Sequence, residues 1–493
     1  MGDADKNGRS VKERDGIFDL SGNITGLKAD RKLIVAYATS VVIFFIFAYG
    51  TDLGAYGPMA SKGIGLFAAT VVLMIFSVQA PLISILLMLM VAIAMGFFDW
   101  QTVGAYIGRS QFYTMLGMTM VAMGAENTAI GKRLAYQILI WFSKKPFRLL
   151  MTFGIVTGFI SFFISNTATL ILMSSIAATL LKAMDEKPGR SQFGKAMMLL
   201  VVVVSFYSGS VMISSSPVGN TMSLSMLELA SGGEYTVGFN QWAVLGVCAF
   251  LIIILPLCFI YVKALRVDFG NLKIPPKEYF QASMKALGPV GGSELRWIII
   301  VLAMIAFMLF GQNSAHMAML FALICVLPVI GVMPINTAVS RLPILVLLGM
   351  GLTPVMVLLI QDTGASAFLG EALSPLLNVG NPVLFSIICC LINGLQCNLL
   401  VNASISNSLI AIATPICIAC GYNPSVVLLP MLMVSSMFWC MGMNQIMMMA
   451  KGYGFWEDKD ALLPGFIAII FVGVALPVII CALAPALGFS LYI

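Results

Sequence analysis

Two polar strings interrupt a largely apolar chain and carry residue types suited to binding small ions. Ile164–Met173 reads ISNTATLILM, and Ile405–Ile416 reads ISNSLIAIATPI. Their centres, Ser165-Asn166-Thr167 and Ser406-Asn407-Ser408, offer hydroxyl and amide oxygens in succession. Where a helix breaks inside a membrane, such oxygens and the freed backbone carbonyls suit a dehydrated alkali cation. The helix that starts after the break directs its unpaired N–H groups and positive dipole end inward. That end attracts a carboxylate or sulfate. One tip can therefore serve a cation on one side and an anion on the other. Ser, Thr and Gly are also ordinary packing residues between membrane helices, so one string alone carries little; the pair carries the argument.

Each string is followed by a second polar interruption of an apolar span, Ser208–Asn220 (SGSVMISSSPVGN) and Ser435–Gln445 (SSMFWCMGMNQ). Ahead of the second string lie Asn393, Gln396, Asn398 and Asn402. Unpaired amides in lipid are costly, so these must face the protein interior or a wet cavity. Asn398 and Asn402 share a helix face by their spacing, and Asn402, nearer the tip, is the better site candidate. For Asn393 and Gln396, interhelical hydrogen bonding is an equal alternative. The only histidine, His316, falls at an outer span end, and Glu126, Asp362 and Glu371 also fall near span ends. Interfacial solvation accounts for these better than a proton relay. No Lys, Arg or His is placed at the midplane, where a charge costs about 3 kcal/mol even on the mildest scale. A carrier of dianions built this way must rely on helix ends and bound cations, which favours co-transport.

Of the 493 residues, 60% are apolar and only 10% charged. A soluble domain has roughly a quarter of its residues charged, so most of this surface must face a lipid bilayer. The polar start, residues 1–32, lacks the apolar core and cleavage site of a secretory signal. It is expected to be a cytoplasmic tail, with a short interfacial turn near Ile17–Leu20. The 10 cysteines run from Cys248 to Cys481 within apolar segments and form no disulfide or zinc pattern. The net charge of +6 is topological and implies no nucleic-acid partner. A single histidine, no HExxH string and no mid-span aspartate pair argue against an intramembrane enzyme.

Lys and Arg collect on the cytoplasmic side of membrane proteins. Spans placed by hydropathy fall near 33–50, 64–79, 82–98, 111–127, 195–230, 241–263, 296–312, 315–333, 343–361, 425–450 and 463–491. With the N-terminus inside and the C-terminus outside, only Lys62 and Arg109 of the 27 basic residues lie outside. Region 148–183 has basic residues at both ends (Lys144, Lys145, Arg148; Lys182, Lys187, Arg190), so it is predicted to be a re-entrant hairpin from the cytoplasm. Region 382–420 has none in its flanking loops and is predicted to enter from the outer face. Residues 33–265 and 296–493 then form two halves of opposite orientation, joined by a cytoplasmic loop, 266–295. Each half carries a hairpin and a broken helix, 195–230 and 425–450. Leu116-Gly117-Met118 before Glu126 is echoed by Leu348-Gly349-Met350 before Asp362. The fold class expected is an all-α polytopic membrane protein, an inverted repeat of about 11 transmembrane helices and two re-entrant hairpins.

On the two strings, the hairpins and the span count, residues 30–490 resemble the divalent anion:sodium symporter family of the ion transporter superfamily. ISNTAT is the specific part of that resemblance. It implies a homodimer in the inner (plasma) membrane, in which a scaffold holds a mobile transport domain that moves like an elevator. It also implies sodium-driven uptake of C4-dicarboxylates, citrate or sulfate, with Na+ as coupling ion and no other metal or cofactor. Ser161, Ser165 and Asn166 match positions of the family's first sodium site. Asn166 and Thr167, with Asn407 and Ser408, match positions that touch substrate carboxylates. Ser215-Ser216-Pro217 stands in for the family's Gly-Thr-Pro-Pro-Asn stretch, which adds Ser215 to the sodium set and Ser216 and Pro217 to the substrate set. Asn402 and Asn407 complete the sodium candidates. The sequence departs from the family where Asn402 replaces a hydroxyl residue, Ser408 replaces Thr, and Met441-Gly442-Met443 replaces the second Thr-Pro-Pro. An anion exchanger without sodium coupling, a cation/proton antiporter and an oxyanion efflux permease are the alternatives; a proton antiporter should carry acidic residues deep in its spans.

Overall fold

A computed structural model describes residues 24–493 except 52, 77–80, 143–144, 214–215, 271, 311–313, 343, 378, 400–402, 438, 441–446 and 448–449. The expected tail up to residue 23, Ser215, Asn402 and Met441–Asn444 therefore lie outside the described residues.

The described chain is a succession of helices. The first six are α1 (Ile24–Gly50), α2 (Gly57–Phe76), α3 (Pro81–Ala94), α4 (Trp100–Ile107), α5 (Ser110–Glu126) and α6 (Ile130–Phe142). Then come α7 (Pro146–Phe163), α8 (Asn166–Ala183), α9 (Gln192–Val211), α10 (Pro217–Ala230) and α11 (Phe239–Ala264). The connecting segment carries α12 (Lys277–Ala286), followed by α13 (Gly292–Phe310), α14 (Ser314–Val326), α15 (Ile335–Arg341), α16 (Ile344–Leu352), α17 (Val355–Asp362) and α18 (Ala365–Leu377). The last group is α19 (Pro382–Leu399), α20 (Ala403–Ala419), α21 (Pro424–Val427), α22 (Leu429–Met433), a 3-10 turn at Val434–Ser436, and the long α23 (Asp458–Ala486).

Among the described residues, five of these, α7, α8, α9, α11 and α23, are each long and apolar enough to cross a bilayer. Other apolar helices, such as Pro382–Asn398 and Pro424–Met433, are shorter. The difference from the expected run of spans has a local cause, because proline, glycine and polar residues divide the hydropathic stretches into pieces. Proline at the first helical position starts α7 and α10, where the missing N–H is no loss. Ser191 starts α9 by accepting the Gly194 N–H at 2.7 Å. The region 148–183 forms α7 and α8, interrupted at Ile164-Ser165; the region 195–230 forms α9 and α10, interrupted between Val211 and Pro217.

Helix α9 is mostly apolar, has no solvent-facing polar stripe and is buried along nearly its whole length, as such a helix should be. It is enclosed by α7, α8 and α11, while α11 packs on α23 and α23 on α19. At the start of α9, Lys195 forms a mostly buried ion pair with Asp460 of α23 at 2.8 Å. A second group of helices includes α5 packed on α14, α14 on α13, and α3 on α16. Gly117 makes the α5–α14 approach possible, since a Cβ there would lie 2.5 Å from the Ala318 carbonyl carbon. The two groups meet where α10 lies on α5, α16 and α17, and where α20 lies on α10 and α18. Arg133 of α6 holds the connecting segment through Glu294 at 2.9 Å and the carbonyls of Leu287, Gly288 and Pro289.

Candidate functional site

The start of α8 is set by residues of the first polar string. Ile164 is extended and ends α7; Ser165 then accepts the Ala168 N–H at 3.2 Å, which is N-cap chemistry. Asn166 folds its Oδ1 onto the Thr167 N–H at 2.8 Å and directs Nδ2 toward Ser216 Oγ at 3.5 Å. Pro217, next to Ser216, begins α10. Asn166, Thr167, Ser216 and Pro217 thus come together where two helix N-termini, those of α8 and α10, face the end of α9. Glycine makes the approach possible, since a Cβ on Gly209 would sit 2.7 Å from Asn166 Cβ.

Ser161 lies deeper. It is fully buried, and its hydroxyl donates to the Ser205 carbonyl of α9 at 3.0 Å. Its oxygen is still able to accept, but it lies behind the tip between α7 and α9. Ser165, besides capping α8, donates toward Glu126 Oε1 at 3.5 Å. Glu126 ends α5, and the adjacent Asn127 accepts from Arg341 of α15 at 3.0 Å. Glu126, assigned from sequence to interfacial solvation alone, therefore also touches the tip.

The interruption after α9 leaves carbonyls without helical donors. Asn220, in the first turn of α10, donates from Nδ2 to both Gly209 O and Met212 O at 3.0 Å. In the second half the corresponding work falls to Asn398 on α19. Its Nδ2 donates to Gly394 O at 2.8 Å and Met437 O at 2.7 Å, and its Oδ1 accepts from the N–H groups of Trp439 and Cys440 at 2.7 and 2.8 Å. Asn393 donates to Met431 O at 2.9 Å, and Cys397 donates to Ser435 O at 3.2 Å. Asn398 and Asn393 are thus braces between helices. Asn407 and Ser408 lie in the helical backbone of α20, with side chains outside the described set.

The two interruptions are neighbours. Ser223 Oγ and Ser435 Oγ lie 3.2 Å apart, and the Tyr207 and Trp439 rings meet edge to face at 6.4 Å. Each is seated on a glycine near the start of a long helix. A Cβ on Gly246 of α11 would fall 2.1 Å from Val211 O, and one on Gly465 of α23 would fall 2.3 Å from Trp439 O. From the sequence, Asn220 with Pro217 and Gly219 reads as a kink or, better, a contribution to the site, but its two carbonyl partners and these glycine seats are not legible there. Their only signal was a glycine at a similar point in each span that follows an interruption.

Residues 66–438 match the family model described as "Citrate transporter". The chain belongs to that family. It is a family of the divalent anion:sodium symporter type, made up of membrane transporters and not enzymes. The sodium-dependent dicarboxylate transporter SdcS of Staphylococcus saprophyticus is 25% identical over 217 residues, which is 42% of this chain and 41% of that protein. The Na(+)/citrate cotransporter of Rattus norvegicus is 41% identical over 69 residues, 14% of this chain and 12% of that protein. The chain thus aligns with less than half the length of either relative. Among solved structures, Neisseria gonorrhoeae MtrF, described as one of a class of antimetabolite efflux pumps, is similar with a TM-score of 0.55 at 12% identity, covering 91% of this chain and 94% of that one. The Alcanivorax borkumensis YdaH transporter is similar with a TM-score of 0.50 at 12% identity, covering 96% and 100%. At such low identity these two structures speak to the helical transporter fold alone.

Proposed function

We propose that the chain is a secondary transporter that carries small di- or tricarboxylates, with sulfate in the same size class, across the plasma membrane together with Na+. The observation that carries this is the convergence of two helix N-termini and one helix C-terminus at Asn166 and Ser216, with no Lys, Arg or His on the helical stretches that converge. No Lys, Arg or His occurs between residues 149 and 181 or between 196 and 262. The anion is then held by the N–H groups and positive dipole ends of α8 and α10, and the cation by neutral oxygens beside the negative end of α9. Sodium as the cation is supported by the names of the relatives, a sodium-dependent dicarboxylate transporter and a Na(+)/citrate cotransporter.

On this proposal Asn166, Thr167, Ser216, Pro217, Asn407 and Ser408 contact substrate. Ser161, Ser165, Asn166, Ser215, Asn402 and Asn407 serve sodium. The helix pairs α7–α8 and α19–α20 act as opposed re-entrant hairpins of an inverted repeat, a reading supported by the matching glycine seats at Gly246 and Gly465. The group around α9 moves against the group around α5 as an elevator, with α10 and α20 at the sliding surface, in a homodimer with a cytoplasmic N-terminus and an outer C-terminus. Proteoliposomes holding the purified chain should accumulate labelled succinate or citrate under an inward sodium gradient, and not under a potassium gradient. Equal uptake in both, stimulated by internal anion, would replace the symporter by an exchanger.

A further inference from the structure

We propose that Asn220 is a cation ligand of the first interruption, distinct from the residues that match the family's sodium positions. This rests on the sodium-coupled reading above. Asn220 is fully buried. Both hydrogens of its Nδ2 are committed, one to Gly209 O and one to Met212 O, each at 3.0 Å. Because carbonyls only accept, these two bonds decide which way the amide is turned. Its Oδ1 is consequently held in one place, and it accepts no hydrogen bond from any described residue.

Buried acceptors rarely stay unmatched. Here the acceptor also lies within the negative end of the α9 dipole, beside the last carbonyls of that helix. An amide oxygen without a donor in that field is repelled unless a positive species offsets it. The group that fits is a dehydrated monovalent cation, because a neutral amide oxygen and backbone carbonyls are hard ligands of modest charge. Gly209, whose carbonyl Asn220 holds, is also the glycine that Asn166 packs against. The proposed ligand is therefore in the same cluster as the tip of α8. Asn398 offers the contrast, since its Oδ1 already takes two backbone N–H groups. Asn393 has an Oδ1 without a donor as well, but its Nδ2 is bound to the Met431 carbonyl of α22 and to no carbonyl of the first interruption.

The test is the thermal unfolding of the purified full-length protein, titrated with NaCl against choline chloride at constant ionic strength, since a ligand of the native state raises its stability. Wild type should be stabilised by Na+ and not by K+. Asn220→Ala should raise the half-maximal sodium concentration at least tenfold. Asn220→Asp, which keeps an oxygen there and adds charge, should show a larger sodium-induced shift than wild type. If both variants unfold earlier by the same amount in sodium and in choline, with an unchanged half-maximum, Asn220 is only a brace and the proposal is wrong. Should the Ala variant not purify, the Asp variant decides alone, because a ligand and a brace predict different sodium shifts. A wild type indifferent to sodium would overturn the coupling reading and this inference together; a sodium-responsive wild type whose variants keep its half-maximal sodium concentration overturns this one only.

Discussion

The interruption after α9 and the interruption after the Val434–Ser436 turn meet the same physical demand in different ways. A helix broken at membrane depth leaves carbonyls and N–H groups that lipid cannot satisfy. After α9, the repair comes from within the broken helix, as Asn220 of α10 reaches back to Gly209 and Met212. After Ser436 it comes from a neighbour, as Asn398 of α19 takes Met437 O and the N–H groups of Trp439 and Cys440. The first repair leaves an amide oxygen open, and the second uses every polar atom of the amide. The two interruptions therefore differ in what they have left to offer an ion. The same stretch of chain departs from the pattern of the family it resembles, with Asn402 for a hydroxyl residue, Ser408 for Thr and Met441-Gly442-Met443 for Thr-Pro-Pro.

Four sets of substitutions would break or sharpen that comparison. The largest effect is expected at the tips themselves: Asn166→Ala and Asn407→Ala should each abolish anion uptake in proteoliposomes while reaching the membrane in near-normal amounts. Full transport by either would remove the paired-tip site. Next comes Asn398→Ala, which orphans two buried N–H groups and a carbonyl at about 1–3 kcal/mol each. Its unfolding temperature should fall steeply and by the same amount with and without sodium; a sodium-dependent loss would make Asn398 a ligand and not a brace.

The glycine seats come third. Gly246→Ala and Gly465→Ala both drive a methyl group into a carbonyl oxygen, and overpacking of this kind costs about 1–3 kcal/mol. Similar losses of thermal stability would support equivalent roles in the two halves, whereas a loss at only one would weaken the repeat. The smallest change is expected from Ser161→Ala. It removes one buried oxygen behind the tip and one bond to Ser205 O, so the sodium concentration for half-maximal uptake should rise several-fold with the maximal rate little altered. A shift mainly in anion affinity would move Ser161 out of the cation set.

Much of the first tip was legible because its chemistry is local. A serine at a helix start accepts the N–H three residues later from its own segment, so Ser165-Asn166-Thr167 reads as a helix start after a break. Pro217 likewise marks the start of α10 through its own missing N–H. Hydropathy located the apolar stretches for the same kind of reason, since transfer to lipid is close to a sum over residues. It did not locate every division within them; the separate helices α16, α17 and α18 and the short α21 and α22 depend on turn chemistry spread over few residues.

What the sequence by itself determined was the membrane setting, the helical class, the two polar strings and the interruptions that follow them. Only the tertiary structure decided which atoms those residues meet. Asn398 could be assigned to a protein interior by the cost of a bare amide in lipid, yet its four partners come from two separate stretches of chain. Asn220 could be taken for part of a kink, and its role appears only once the end of α9 is seen to be held by its Nδ2. Gly209, Gly246 and Gly465 carry no side-chain signal at all, because a glycine at a close approach is defined by the backbone or side chain that comes near it. Local propensities are written residue by residue, whereas the satisfaction of a broken helix is a property of whichever neighbour packs against it.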